Sequence, residues 1–334
     1  MCLNIFTEEV NAMRCRFCGY EGSLSDFEED HIHHAGVWCP DCDSFNLFDE
    51  AEEKAGVYAL YLEDVRTGSI LKCRKKIPQY VSPLRYPGGK TKLIPYVAVI
   101  LPETVTRFVE PFAGGASVGL SLLSAGLVKE IVLNDIDNNV VALFRQIINN
   151  PKALSEKIMA ATPDRDIYFR YRKSLLDHSV LDDGERAFRF LYCNRLAFSG
   201  ILFANPMGNM EKRWNPKTLC KRIRHIYSLK DGITITQEDA MAVIEEEYWR
   251  GSNTFLFIDP PYFKQGKRLY RKAYESGDHA DLAWLTESLY RELPGSHIMI
   301  TYDNAEEIKK LYDIADVYII KPAYCLTRGS SAST

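Results

Sequence analysis

The chain has 334 residues, 46% of them hydrophobic and 26% charged, with a formal net charge of −4. The length accommodates a small module and one large domain with a substantial core. No apolar run approaches the roughly 20 residues that span a bilayer, no basic segment with an apolar signal core opens the chain, and Cys2, Cys73, Cys193, Cys220 and Cys325 are scattered. These features exclude a membrane-spanning chain and a disulfide framework, and they fit a reducing cytoplasm.

The first predicted unit is residues 1–56. Cys15 and Cys18, then Cys39 and Cys42, form two C-x2-C pairs separated by twenty residues. Glycine follows one pair and proline lies inside the other, which suits tight metal knuckles; the spacing predicts a structural zinc closed by four thiolates, a zinc ribbon. His31, His33 and His34 lie between the pairs and are expected on a solvated loop. This unit holds three basic and 13 acidic residues, net −10, which leaves the rest of the chain at +6. A module so acidic is a poor clamp for DNA; packing on the large domain, a protein partner and mimicry of DNA charge all remain open for it. Residues 57–80 read as a connector with a hairpin across Thr67-Gly68.

Residues 81–334 alternate β-rich apolar runs with helical ones. Strands are expected near 106–110, 130–134, 232–236, 254–258, 297–302 and 316–320. Helices are expected near 90–100, 117–126, 138–149, 152–160, 166–177, 184–198, 216–228, 239–248, 280–293 and 304–312. The alternation predicts an α/β fold: a doubly wound, mainly parallel sheet with helices on both faces. Residues 150–230 interrupt it and read as an inserted helical recognition subdomain. Its aromatics, Phe198 among them, are expected in its core.

Three turns within this domain carry chemistry. Arg85-Tyr86-Pro87-Gly88-Gly89-Lys90 frees main-chain N–H groups beside a lysine at a helix start, which suits a carboxylate. Residues 108–120 run from a strand through Gly114-Gly115 into a helix, the geometry that receives a nucleotide-like cofactor, and Asp135 follows Gly114 at the distance of a ribose-binding acid. Finally, the apolar run Phe255–Ile258 delivers Asp259-Pro260-Pro261-Tyr262 to one point. A carboxylate, carbonyls left free by proline and a flat ring suit holding a planar amine.

Charge adds a partner. Residues 195–230 hold eight basic residues and one acid, and residues 264–272 add five more basic ones. These stretches flank the predicted pocket in sequence and point to contact with a phosphate backbone.

Seven segments, RYPGGK (85–90), FVEPFAGGASV (108–118), LNDIDNNVVALF (133–144), YCNRLAFSGI (192–201), QEDA (237–240), DPPY (259–262) and TYDN (301–304), stand in one order. Together they resemble the Dam-type, D12 class DNA adenine N6-methyltransferases over roughly residues 80–330. The resemblance implies a class I methyltransferase fold, S-adenosylmethionine as cofactor and double-stranded DNA as substrate. It places Tyr86, Gly89 and Lys90 near the methionine end of the cofactor, and Glu110, Phe112 and Gly114 at the cofactor turn. Asp135 would meet the ribose and Asp239 the cofactor's adenine. Asp259, Pro260, Pro261 and Tyr262 would hold a flipped-out target adenine. Asn194, Arg195, Lys212, Arg213, Lys221, Arg222, Lys267 and Arg268 would contact DNA.

Two departures mark the chain. Bacterial relatives follow Asn-Arg with aromatic-Asn-Gly and a basic residue, whereas Phe198-Ser199-Gly200 precedes no basic residue before Lys212, which points away from the usual GATC target. The family pattern also continues into a Lys-rich segment and an apolar strand, whereas Thr334 ends this chain; a shortened chain or a sheet without its last strand is the expectation. Competing readings are a same-fold enzyme acting on RNA adenine or cytosine N4, and a non-catalytic zinc-bearing adaptor.

Overall fold

The computed structural model describes residues 77–313, except 79, 86–89, 178, 203, 209, 265–273, 293–296 and 304, together with seven short strands between Met13 and Lys72. Cys15, Cys18, Cys39, Cys42, Tyr86, Gly89, Lys267, Arg268 and the strand expected near 316–320 lie outside the described residues. Met13–Arg14 pairs antiparallel with Glu21–Gly22, and Gly36–Trp38 with both Glu28–Glu29 and Phe45–Leu47. The connector hairpin forms between Tyr61–Glu63 and Ile70–Lys72.

Five strands build the main sheet: β1 Arg107–Glu110, β2 Glu130–Asn134, β3 Ile233–Thr236, β4 Thr254–Ile258 and β5 His297–Ile300. Their order is β3-β2-β1-β4-β5 and every neighbouring pair is parallel. The chain therefore winds outward from β1 to one edge, crosses back, and winds to the other from β4. The switch point lies between β1 and β4, where a doubly wound sheet opens a crevice at its carboxyl end.

Residue alternation dictates the two layers. Phe108, Ile131, Leu133, Phe255 and Phe257 pack on one face, while Val109, Val132, Leu256 and Ile258 pack on the other. Central β4 is buried at every position, Thr254 followed by four apolar residues, because both of its faces are covered. Edge strand β3 alternates Ile and Thr instead.

The longer helices are α1 Ile94–Ile100, entered through a 3-10 turn at Lys90–Leu93, α2 Ser117–Ser124, α3 Asn138–Asn149, α4 Pro151–Ala160, α5 Arg165–Leu176, α6 Asp183–Leu196, α7 Pro216–Ser228, α8 Ala240–Tyr248 and α9 Ser276–Glu292. Asp137, Asp164, Asp182, Asn215 and Asp239 start α3, α5, α6, α7 and α8 by accepting a main-chain N–H. Helices α8 and α9 cover the Val109 face; the core on the Phe108 face runs without a break into α4–α7. The block expected as an insertion thus shares one core with the sheet. Of the aromatics expected in its core, Tyr168, Phe188 and Phe190 are buried, Phe169 and Tyr171 pack partly buried against it, and Phe198 is 52% exposed. Among the described residues no helix is long and apolar enough to cross a membrane.

Candidate active site

The carboxyl end of the sheet gathers the chemistry at the switch point. β4 ends at Ile258, and Asp259 follows it directly. The ammonium of Lys90 donates to Asp259 Oδ1 at 2.5 Å and to Oδ2 at 2.6 Å, and reaches the Tyr262 hydroxyl at 2.7 Å. The same ammonium stands 4.7 Å from the centre of the Tyr262 ring. A buried lysine is tolerated here because each donor has an acceptor and the opposite charge is adjacent. Pro260 and Pro261 are buried beneath them.

Glu110 closes β1 on the face that Phe108 also occupies, and its carboxylate meets the first turn of α2. The main-chain N–H of Gly119 donates to it, and a Cβ at Gly119 would lie 2.7 Å from Oε2. Oε2 is buried without a hydrogen-bond partner among the described residues. Burial pushes the carboxyl pKa up to about 8, the Gly119 N–H opposes that shift, and the nearby charge of Asp259 adds to it.

Between β1 and α2 the chain turns at Gly114, φ 47°, and Ala116, φ 50°. Of the Gly114-Gly115 pair only the first takes a left-handed conformation; the second such position falls on Ala116, whose side chain is buried. A left-handed alanine costs of order 1 kcal/mol, so the turn is held by its surroundings. Asp135 supplies part of that hold: Oδ2 accepts from Gly114 N at 2.8 Å and Oδ1 from Asp137 N at 2.8 Å. Burial raises its pKa to about 6, and these two N–H groups oppose the shift. Asp137 rather than Asp135 caps α3.

Asn134 is a hub that sequence reading passed over. Fully buried, it donates to Pro111 O and Glu238 O and accepts from Thr236 Oγ1 and Glu238 N, which ties the ends of β1, β2 and β3 into one rim. Asp239 lies on this rim, exposed, with Oδ1 capping α8. Phe112 packs edge-on against Tyr274 at 5.6 Å, an apolar wall beside the turn. Thr301 and Asp303 were also missed as functional residues. Thr301 Oγ1 donates to Asp259 Oδ1 at 2.6 Å, and Asp303 accepts from the main-chain N–H groups of Phe263 and Lys264 at 3.0 Å each. Polar residues immediately after an apolar strand were the available signal.

Several residues expected at DNA stand elsewhere. Asn194 is 1% exposed; its Oδ1 accepts from Arg85 N at 2.9 Å, and its Nδ2 donates to Arg85 O at 2.6 Å and Gly200 O at 3.1 Å. Arg195 is fully buried, and Arg222 is buried with Nη1 donating to Ser82 O at 3.1 Å. All three belong to the interior because the α6 and α7 faces that carry them turn toward the core. Lys212 and Arg213 are half-buried on the short helix Met210–Arg213, and Lys221 is exposed on α7. The loop bearing exposed Phe198 is pinned at Gly200, φ 73°, where a Cβ would lie 1.9 Å from Arg85 O. Asn194 and Gly200 thereby hold that loop against the segment leading into Lys90. Among the described residues no group of three or more His, Cys, Asp or Glu is placed to hold a metal.

A parallel doubly wound sheet with an acid, an aromatic ring and a glycine turn at its switch point has the form of a site for a nucleotide-like ligand. The family model for the D12 class of N6 adenine-specific DNA methyltransferases matches residues 86–324, and the chain belongs to that family. It is 25% identical over 267 residues to the Type II methyltransferase M1.LlaDCHI of Lactococcus lactis subsp. cremoris, covering 75% of this chain and 90% of that one. It is 29% identical over 186 residues to the Type II methyltransferase M.CviBI of Paramecium bursaria Chlorella virus NC1A, covering 54% and 68%. A DNA adenine methylase of Salmonella typhi is 23% identical over 258 residues, covering 71% and 86%. Adenine N6 in DNA is therefore the target, ahead of RNA adenine, cytosine N4 and a non-catalytic adaptor.

Proposed function

We propose that the chain transfers a methyl group from S-adenosylmethionine to N6 of an adenine turned out of a DNA duplex, with Asp259 and Tyr262 holding the base. The observation that carries this reading is the Asp259 carboxylate at the switch point, gripped by Lys90 and Thr301. The naming of the lactococcal and viral relatives as Type II methyltransferases supports a defined target sequence.

The residues fit the cofactor. Glu110, whose Oε2 has no hydrogen-bond partner among the described residues, suits a ligand with a cationic end, and the Gly114 turn with Asp135 suits a ribose. Both Asp135 oxygens already hold one N–H, and each retains a lone pair for a hydroxyl. Glu110, Phe112, Gly114, Asp135 and Asp239 would hold the cofactor, with Lys90, Tyr86 and Gly89 near its methionine end. When bound, the cofactor supplies an electrophilic sulfonium methyl. Adenine N6 is a poor nucleophile because its lone pair delocalises into the ring. Asp259 accepting one N6 hydrogen and the Pro260 carbonyl accepting the other favour a tetrahedral nitrogen, and charge-assisted bonds of this kind are the stronger ones. Lys90 now occupies both oxygens of Asp259, so the target amine must take over an acceptor from it. The proton leaving N6 has Asp259 as its nearest base. Tyr262 gives the ring a face to stack on.

On the DNA side, exposed Lys221 and the half-buried Lys212 and Arg213 offer phosphate contacts, and the pinned Phe198 loop presents an exposed ring. Lys267 and Arg268 belong to the same expected footprint. At the N-terminus, antiparallel strand pairs bracket Cys15 to Cys18 and Cys39 to Cys42 in sequence, which supports a zinc ribbon; zinc release on thiol modification of the full chain tests it.

The test of the reaction uses purified chain, radiolabelled S-adenosylmethionine and unmethylated DNA, followed by nucleoside digestion. Label in N6-methyladenine, lost in Asp259→Ala while cofactor binding persists, is the expected result. Transfer retained in Asp259→Ala, or no cofactor binding at all, would overturn it.

A further inference from the structure

We infer that Thr301 is a positioning residue for methyl transfer, its hydroxyl fixing the Asp259 carboxylate so that Oδ2 is the oxygen presented to the target amine. This rests on the role of Asp259 proposed above.

The torsion that swings an aspartate carboxylate is broad, so position along the chain does not orient it. Pro260 and Pro261 have no N–H with which to tie the following segment to the sheet. Its fixings must come from neighbours, and β5 provides them. Ile258 and Ile300 are register partners, so the residues that follow, Asp259 and Thr301, leave the sheet side by side. Thr301 N donates to Ile258 O at 2.9 Å, and Thr301 is 8% exposed, which leaves its side chain little freedom. From there Oγ1 donates to Asp259 Oδ1 at 2.6 Å.

Two residues on, Asp303 takes the main-chain N–H groups of Phe263 and Lys264. Residues Thr301 and Asp303 thus grip both ends of Asp259–Lys264. The two oxygens of Asp259 differ as a result. Oδ1 receives Lys90 and Thr301, whereas Oδ2 receives only Lys90 among the described residues. When a target amine displaces Lys90, Oδ1 keeps the hydroxyl and a single lone pair, whereas Oδ2 has both of its lone pairs open and is the less occupied acceptor. The hydroxyl is neutral, so it orients the carboxylate without cancelling its charge, which Lys90 does cancel.

The test compares Thr301→Val, Thr301→Ser and Asp259→Asn in the full chain, with initial rates, cofactor Kd by calorimetry and KM for DNA. Valine keeps the shape and removes the donor; serine keeps the donor. Thr301→Val is expected to lower kcat about 10- to 100-fold, the worth of a hydrogen bond to a charged group, with Kd and KM for DNA within about twofold. Thr301→Ser is expected within about threefold of the parent kcat. An unchanged kcat in Thr301→Val, an equal loss in Thr301→Ser, or a loss confined to KM or Kd would overturn the inference. Should Thr301→Val fail to fold, Thr301→Ala against Thr301→Ser makes the same comparison. Transfer retained in Asp259→Asn would defeat the parent reading instead, and its loss beside a fully active Thr301→Val would defeat only the role of Thr301.

Discussion

Glu110 shows how a single side chain can report on ligand binding. Its pKa is raised to about 8 chiefly by burial, so it is mostly protonated at neutral pH. The sign follows from linkage: a carboxyl whose folded pKa is raised stabilises the fold fully below its ordinary value of about 4.5, and that contribution is lost as pH rises through about 8. A cation placed against Oε2 favours the charged form and expels the proton. Cofactor binding near pH 7 should therefore release a proton, and affinity should rise with pH toward 8. Calorimetry in two buffers of different ionisation enthalpy measures the release, and Glu110→Gln should abolish it. Asp135, raised to about 6 by burial, is already ionised at that pH and contributes little to the difference.

At the scale of elements, two junctions hold the sheet and its helices in place. Asn194 on α6 binds both main-chain groups of Arg85 and the carbonyl of Gly200. Asn194→Asp keeps the acceptor but points an oxygen at two carbonyls, and should cost about 3 kcal/mol in denaturant unfolding. If Asn194 contacted DNA instead, the loss would appear in DNA affinity with stability intact. At the opposite end of the sheet, Arg107 on β1 donates through two nitrogens to Glu247 on α8, each at 2.7 Å, and also reaches Glu130 at 3.1 Å. Glu247 is 7% exposed, so removing it takes the bidentate partner from a largely buried guanidinium and leaves it the more exposed Glu130. Glu247→Ala should cost about 3 kcal/mol of stability and leave the methylation rate per folded molecule unchanged.

For the whole molecule, the net charge of −4 conceals an acidic N-terminal segment and a basic remainder. DNA binding by such a chain should weaken steeply with salt. Basic residues close in sequence are nonetheless not equivalent. Lys221 is exposed on α7, and Arg222 beside it is buried against Ser82. Lys221→Ala should lower the slope of log affinity against log salt by about 1 with the unfolding midpoint intact, whereas Arg222→Ala should lower the midpoint. Salt titrations of DNA binding and denaturant unfolding of the two variants separate the roles. The core joins the sheet to α4–α7 without a break, so damage in the expected recognition block should also loosen the cofactor end.

Sequence alone determined the alternation of strands and helices, because a buried parallel strand must be apolar on both faces and the period of two assigns its residues to them. It also singled out Asp259, Tyr262, Glu110 and the Gly114 turn as candidates, since these lie at or just after the ends of apolar strands, where local chain geometry is legible. Only the tertiary structure decided which polar residues are partners. Lys90 meets Asp259 from 169 positions away, and Asn194 meets Arg85 across 109. Asn194 is expected at DNA from the resemblance, and Arg195 and Arg222 also from the basic stretch 195–230, yet the turn of α6 and α7 on the core places all three inside. Nothing local distinguishes a solvated arginine from a buried one; that depends on which helix face the rest of the chain covers.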